Sequence, residues 1–357
     1  MRNKKVLFFL ISLTTLIVGI FCFLPYPKTI EDPQKFIKQL SKRNPGTDSK
    51  NVIFSYFDPA TGRTIVTDHA PINVIILDGK NITDLSMLKD YSLHGLTIKD
   101  SGMTNLAFLS KMDCQYLDLE LNSNELLTDY SALKKNKIGY LRLIQERHFS
   151  DASLIHPETA KVTLADTGVT TLNFSAPQNL TALGLFDNKK LLDYSGLNGM
   201  TELRDFAISG DLAPGAYQYI QTSFPGLKTI NTFEISLNFF PPLLAKELDH
   251  VRILLWPNLA DAGNLSGKKV KNLTFAAKNL TVFKTVKGLE ITEEAKLRIK
   301  EEFDPGCLSG VVIKKNLEIT LYKPADKNLL DWVRSLEMNG IKVKIHQPAT
   351  ETAVSAN

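Results

Sequence analysis

One spacing recurs through the middle of this chain. An apolar residue is followed by apolar residues at +3 and +5, a small polar residue at +8, and apolar residues at +10 and +13. Seven copies begin at residues 72, 93, 114, 138, 159, 180 and 203, at intervals of 21, 21, 24, 21, 21 and 23. The second copy reads Leu93, Leu96, Ile98, Ser101, Met103, Leu106, and the sixth reads Leu180, Leu183, Leu185, Asn188, Leu191, Tyr194. The third runs from Cys114 through Leu117, Leu119 and Asn122, with a short insertion before Leu127 and Tyr130. A second echo comes from Asp90-Tyr91-Ser92, Asp129-Tyr130-Ser131 and Asp193-Tyr194-Ser195. A helix of 3.6-residue period does not generate such intervals. They describe a stack of like units, each too small to bury its own apolar face and each completed by its neighbours.

The spacing resembles the leucine-rich repeat, L-x-x-L-x-L-x-x-N-x-L-x-x-L. Its period of 21–24 residues resembles the short-repeat bacterial, internalin-like class. The resemblance covers 72–212 and continues less regularly to 285, through Ile230, Phe233, Ile235, Asn238 and Phe240, then Leu248, Val251 and Ile253, then Val270, Leu273, Phe275, Leu280 and Phe283. Asparagine stands at the consensus position only as Asn122 and Asn188 among the first seven copies. Lys80 and Glu146 stand there in two others, which marks a divergent member. The fold implied is an α/β solenoid. A parallel β-sheet forms its concave face, 3-10 or irregular turns form its convex side, and both ends are capped. The L-x-L core reads as a short strand whose alternate residues point inward. Leu96, Leu117, Leu141, Val162 and Leu183 are expected to form one interior column. Cys114 sits at an anchor and is expected to be buried. At strand spacings of about 4.8 Å, Cys307 lies about 40 Å away along the stack, so no disulfide between them is expected.

A repeat stack needs its ends covered. Residues 32–43 read as a helix with Asp32 as N-cap and Pro33 in its first turn, and 51–57 and 63–67 read as strands of a hairpin. Residues 30–71 are therefore the expected N-terminal cap. Residues 286–346 form the expected α/β C-terminal cap: a helix at 292–302, strands at 308–313 and 317–322, a helix at 326–339 stopped by Gly340, and a strand at 341–345. The tail 347–357 is expected to be disordered.

Residues 6–24 carry no charge, and Arg2, Lys4 and Lys5 precede them within the basic tail 1–5. At about 1.5 Å per residue a helix of this length spans about 28 Å, close to a bilayer core. The positive-inside rule then leaves the N-terminus cytoplasmic and everything beyond Pro25 outside the cytoplasm. A cleaved signal peptide is the alternative, which would make the chain secreted. The run nevertheless ends Phe21-Cys22-Phe23-Leu24-Pro25, without small residues where a cleavage site wants them. The net charge of +4 is small for 357 residues and gives no argument for nucleic acid. Residues 72–212 carry 13 Lys+Arg against 18 Asp+Glu, a mildly acidic block between two mildly basic flanks.

No nucleophile elbow, phosphate loop, dinucleotide fingerprint or paired-cysteine motif occurs, and no cofactor or metal is expected. His148 and His156 have weak spacing for a metal pair, and Lys268, Lys269 and Lys271 form a small basic cluster. The remaining candidates are the outward strand positions: Thr97 and Lys99, Asp118 and Glu120, Arg142 and Ile144, Thr163 and Ala165, Gly184 and Phe186, Ala207 and Ser209. Solenoids bind partners on this face. Ile144 and Phe186 have no expected core duty and are the anchor candidates. The leading expectation is a membrane-anchored, extracytoplasmic, non-catalytic protein-binding module. An envelope immunity or inhibitor protein is one version of it. The alternatives are a glycan-binding adhesin resting on the lysine cluster, and an enzyme in the C-terminal region using Asp304, Glu318, Asp326 and His346.

Overall fold

The computed structural model describes residues 29–348, apart from 68, 70, 113, 115, 176–178, 211–218, 220–223, 234–239, 241, 255–258, 278–279 and 302. The expected basic tail, the expected membrane span at 6–24 and residues 349–357 of the expected tail lie outside the described residues. Among the described residues, no helix is long and apolar enough to cross a membrane.

The chain opens with helix α1 (Pro33–Arg43). Asp32 caps it by accepting the Lys35 N–H at 2.9 Å, and Phe36 and Leu40 form its buried face. The Phe36 ring meets Phe54 and Tyr91 edge-on, tying the helix to the first strands. Strands β1 (Val52–Asp58) and β2 (Arg63–Val66) form the expected hairpin, and β1 pairs antiparallel with β3 (Val74–Asp78).

From β3 onward every pairing is parallel. Five-residue strands follow in order: β4 (Gly95–Lys99), β5 (Asp118–Asn122), β6 (Tyr140–Ile144), β7 (Lys161–Ala165), β8 (Ala182–Phe186), β9 (Asp205–Ser209) and β10 (Thr229–Phe233). Then the strands lengthen in β11 (Glu247–Leu254), β12 (Lys269–Ala277) and β13 (Leu289–Ile299). The first part of β13 pairs with β14 (Val311–Ile313) and the second with β15 (Asn316–Leu321), which pairs with β16 (Lys342–His346). The result is one elongated, open, 16-stranded and mostly parallel sheet whose edge strands are β2 and β16. The return legs are too short for full helices. They form 3-10 turns such as Ser86–Asp90, Ala107–Lys111 and Thr281–Phe283, and the single turn α2 (Ala132–Lys135).

Side chains on the inner face form continuous columns. One runs Ile75, Leu96, Leu119, Leu141, Val162, Leu183, Phe206, Ile230, Val251, Leu273, Ala295 and Leu317, all buried. The third rung corrects the expected register, because Leu119 and not Leu117 stands in this column. Leu117-Asp118-Leu119-Glu120-Leu121 satisfies the L-x-L pattern in two ways. A two-residue slip keeps every side chain on its face, so the pattern cannot choose between them. The extra residues therefore precede the strand, and Tyr116, at the first-anchor position, is 72% exposed.

A ladder of buried polar residues lies just past the strands: Ser101, Asn124, Glu146, Thr167 and Asn188. The polar residue of the third rung is thus Asn124, while Asn122 ends β5 on the outward face. Asn188 Oδ1 accepts the Thr167 N–H at 3.0 Å and hydroxyl at 2.7 Å, and its Nδ2 donates to Leu164 O at 2.8 Å. Asn124 bonds Ser101 and Ile98 O in the same way. Glu146, only 1% exposed, sits beside it and accepts from Asn124 N, Asn124 Nδ2 and, at 2.6 Å, the Tyr130 hydroxyl. Burial pushes the Glu146 carboxyl above its ordinary value although all three donors favour the ionised form.

Several return turns are opened by an Asx cap. Asp84, Asp129, Asp151 and Asp193 each accept the N–H two residues on, at 2.8–2.9 Å. This explains the Asp-Tyr-Ser echo at 129 and 193. The copy at 90 is out of register, since Asp90 closes its 3-10 turn.

The C-terminal expectations are partly overturned. Of the segment expected as a helix over 292–302, residues 292–299 belong to strand β13. Its Glu- and Lys-rich composition favours helix, but Ala295, Leu297 and Ile299 alternate inward and both edges are paired. Helix α3 (Lys327–Met338) forms as expected, with Asp326 accepting the Leu329 N–H at 2.8 Å. It crosses between the parallel strands β15 and β16, so this region continues the sheet. Cys114 and Cys307 are both buried, far apart along the stack.

Candidate functional site

The outward face of the sheet is built by the residues that alternate with the interior columns. In the shared register its middle row reads Ile76, Thr97, Glu120, Arg142, Thr163, Gly184, Ala207, Asn231, Arg252, Thr274, Lys296, Glu318 and Lys344. Strand spacing of about 4.8 Å places each residue against the next. All twelve outward candidates lie on this face, but they do not form a single cluster.

Glu120, Arg142 and Thr163 are brought together. Arg142 Nε donates to Glu120 Oε2 at 2.9 Å, and its guanidinium lies 4.6 Å from the centre of the Tyr140 ring. The Tyr140 hydroxyl is 3.0 Å from Thr163 Oγ1. Thr97 is the register neighbour of Glu120. Lys99 instead forms ion pairs with Asp78 at 3.4 Å and Asp100 at 3.7 Å at the ends of the strands. Asp118 falls in the row of Gly95 and Tyr140, and Asn122 takes the place beside Lys99 and Ile144, which is the same two-residue slip seen inside. Glu120 and Asp118 share a face, yet Glu120 is occupied by a guanidinium and the two carboxylates do not form an acid–base pair. Phe186 folds down over Gly184, whose Cβ, if it had one, would lie 2.7 Å from the ring. Phe186 is half-buried on the sheet and does not protrude.

Two regions of this face were missed by sequence reasoning. At the hairpin end, Ile53, Val66, Val74 and Ile76 form an apolar patch, and Val66 is 76% exposed. At the other end, an open depression of about 440 Å³ lies on β11, β12 and β13, lined by His250, Arg252, Leu254, Asn272, Thr274, Glu294, Lys296 and Arg298. The alternation needed to find His250 and Arg252 was legible from the anchors Val251 and Ile253. Arg298 was hidden by the helical reading of its segment. Nearby, Asn231 Oδ1 is buried without a hydrogen-bond partner among the described residues.

The other chemical candidates resolve into structural roles. Lys268 Nζ donates to the Leu243 and Ala245 carbonyls at 2.5 and 2.8 Å, and burial lowers its pKa. Lys271 pairs with Asp249 at 2.6 Å. Asp304 and Asp326 cap turns, while Glu318 and His346 meet at 3.2 Å on the outward face. No group of three His, Cys, Asp or Glu side chains among the described residues could hold a metal ion. No family model, curated protein or solved structure matches the chain.

Proposed function

We propose that this chain is a divergent leucine-rich repeat protein, anchored by residues 6–24 with its main body outside the cytoplasm, and that it binds a protein partner through the outward face of its sheet. The observation that carries the binding reading is the face itself. Sixteen strands present one uninterrupted surface, and its side chains are not needed to close the interior columns. Rigid strands hold such side chains in fixed register at little ordering cost, which favours recognition. The repeat assignment is supported by the asparagine-type ladder at Asn124 and Asn188 and by the short return turns. The anchor rests on the uncharged run alone.

The test is affinity purification of the full chain from detergent-solubilised membranes, compared with the Ile144→Asp and Phe186→Asp variants. The expected result is a partner held by the parent chain and lost at least tenfold by the variants, with circular dichroism unchanged. A parent chain that holds nothing, or a partner held equally by all three, overturns the reading. Protease accessibility in intact cells or spheroplasts checks the topology, and digestion only after the membrane is broken would overturn the extracytoplasmic assignment.

A further inference from the structure

We infer that the depression on β11–β13 is a carboxylate-binding subsite, and that it takes an acidic, partly apolar segment of the protein partner. The inference rests on the protein-binding reading above and specifies the chemistry of the segment bound.

The argument begins with charge. Lys296 is engaged on both sides, 3.2 Å from Glu294 and 3.4 Å from Glu318, and His346 adds a second contact to Glu318 at 3.2 Å. Both carboxylates of this part of the face are thereby occupied. Arg252 and Arg298 are exposed, and neither has an ion-pair partner among the described residues. The contrast with β6 is direct, because Arg142 has the Glu120 carboxylate beside it and Arg252 has Thr274.

Register then places the two guanidiniums. Arg252 pairs with Thr274, and Arg298 with Ala276, one step of two residues further along β12. Two strand spacings and one such step put their Cα atoms about 12 Å apart. Both side chains therefore reach the space above Thr274 and Ala276, whose short side chains leave the floor of the depression open. Two guanidiniums directed at one space repel each other until an anion enters. A planar carboxylate accepts two parallel N–H bonds from each such fork.

The surroundings select the kind of anion. Leu254 lines the site and Ala276 is its register neighbour, while Phe186, Ala165 and Ile144 lie further along the face beyond Ser209. Apolar Leu254 beside a pair of guanidiniums matches a peptide with an apolar side chain next to an Asp or Glu. Glu294 within the lining and Glu318 beyond Lys296 repel a dense polyanion, so a sulfated polysaccharide or a nucleic acid fits less well than one or two carboxylates.

Fluorescence anisotropy with the detergent-solubilised full chain tests this. The probe is a labelled ten-residue peptide alternating Phe or Leu with Glu, titrated in 50 mM and 500 mM NaCl. The expected result is saturable binding, weakened at least tenfold by Arg252→Gln with Arg298→Gln and weakened at high salt. Replacing Glu with Gln in the peptide should lose the same factor, and Arg334→Gln, on α3, should change nothing. Equal binding by parent and double variant overturns the subsite. So does a heparin oligosaccharide that binds more tightly than the peptide and depends on the same arginines. If no peptide binds while a membrane partner is still captured through Ile144 and Phe186, the subsite falls and the protein-binding reading stands. If the peptide binds through Arg252 and Arg298 but no membrane partner is captured, the subsite stands and the broader reading falls.

Discussion

The two halves of the sheet differ in the length of their strands and in the polar ladder at the strand exits. In the first half the residue just past each strand is left-handed: Gly79, Asp100, Ser123, Gln145, Asp166, Asp187 and Gly210. Five of these seven are not glycine, with φ between 47° and 58°. Their amides donate to the carbonyl at the end of the next strand, as Asp100 N–H does to Asn122 O at 3.1 Å and Gln145 N–H to Ala165 O at 2.8 Å. Among the described residues of the second half, Gly267, Gly288 and Gly340 are left-handed and precede β12, β13 and β16, as Gly199 precedes β9 in the first half. The first half therefore holds five-residue strands with a polar ladder at their exits. In the second half β11, β12 and β13 have 8, 9 and 11 residues, with a register shift between Val270 and Asn272 where β12 pairs with β13. A tight exit turn ends a strand early and turns the backbone inward, where Asn, Ser or Thr must meet it. The added residues lie at the starts of these strands, as Glu247–Asp249 do in β11, while Arg252 stands in the same row as Arg142, and Arg298 in the row of Leu254.

The largest test of this contrast is Asn124→Ala. It strands the Ser101 amide and the Ile98 carbonyl inside the protein and removes the Nδ2 donor from Glu146. Each buried group left unsatisfied costs about 1–3 kcal/mol, so a loss of about 3 kcal/mol or more is expected in urea unfolding. Thr232→Val in the second half, which loses one bond to Arg252 O, should cost about 1 kcal/mol. Equal costs would mean that the ladder is not what distinguishes the first half.

Next comes the pH response of the ladder. The folded-state value of Glu146 is raised above its ordinary 4.5 by burial. As pH rises from there, the unfolded chain ionises first, so this group removes stability until the folded value is passed and then removes no more. For one proton the slope is at most about 1.4 kcal/mol per pH unit. Glu146→Gln should flatten the melting temperature on that limb. The loss at acid pH should remain, because the Asp84 carboxyl is held low by the Ser86 N–H and the Asp129 carboxyl by Ser131, and both lose those bonds on protonation. An unchanged high-pH limb in the variant would show that Glu146 stays ionised throughout.

The turns give a smaller effect. Gly288→Ala has open space around the new Cβ, so its cost is that of the left-handed backbone alone, about 1–2 kcal/mol. Gln145→Gly, at φ 54°, should gain a fraction of that. If thermal melts show Gly288→Ala neutral, the entry turn is not the constraint argued above. The smallest effect is Arg142→Met. The Glu120–Arg142 pair is only partly shielded, so less than about 1 kcal/mol is expected, and most of it should vanish in 1 M NaCl.

Much of this was legible beforehand. The hairpin, the Asp32 cap, α3 and the rung order follow from local signals: a turn sequence, a capping aspartate and an apolar period. The third rung was not, because Leu117, Leu119 and Leu121 permit two registers on the same face. Strand β13 was not, because its side chains favour helix when isolated. The basic site was missed for the same reason, since Arg298 has a place on the outward face only once β13 is a strand beside β12.

The period of 21 to 24 residues and the inward alternation of apolar side chains come from the order of residues alone, since each rung needs its anchors at spacings that a short strand dictates. Which leucine faces which leucine, where each turn goes left-handed and which charges meet on the outward face were decided only in three dimensions. Those choices depend on backbone pairing between rungs and on the burial of polar groups at the strand exits, and neither is a property of any one segment.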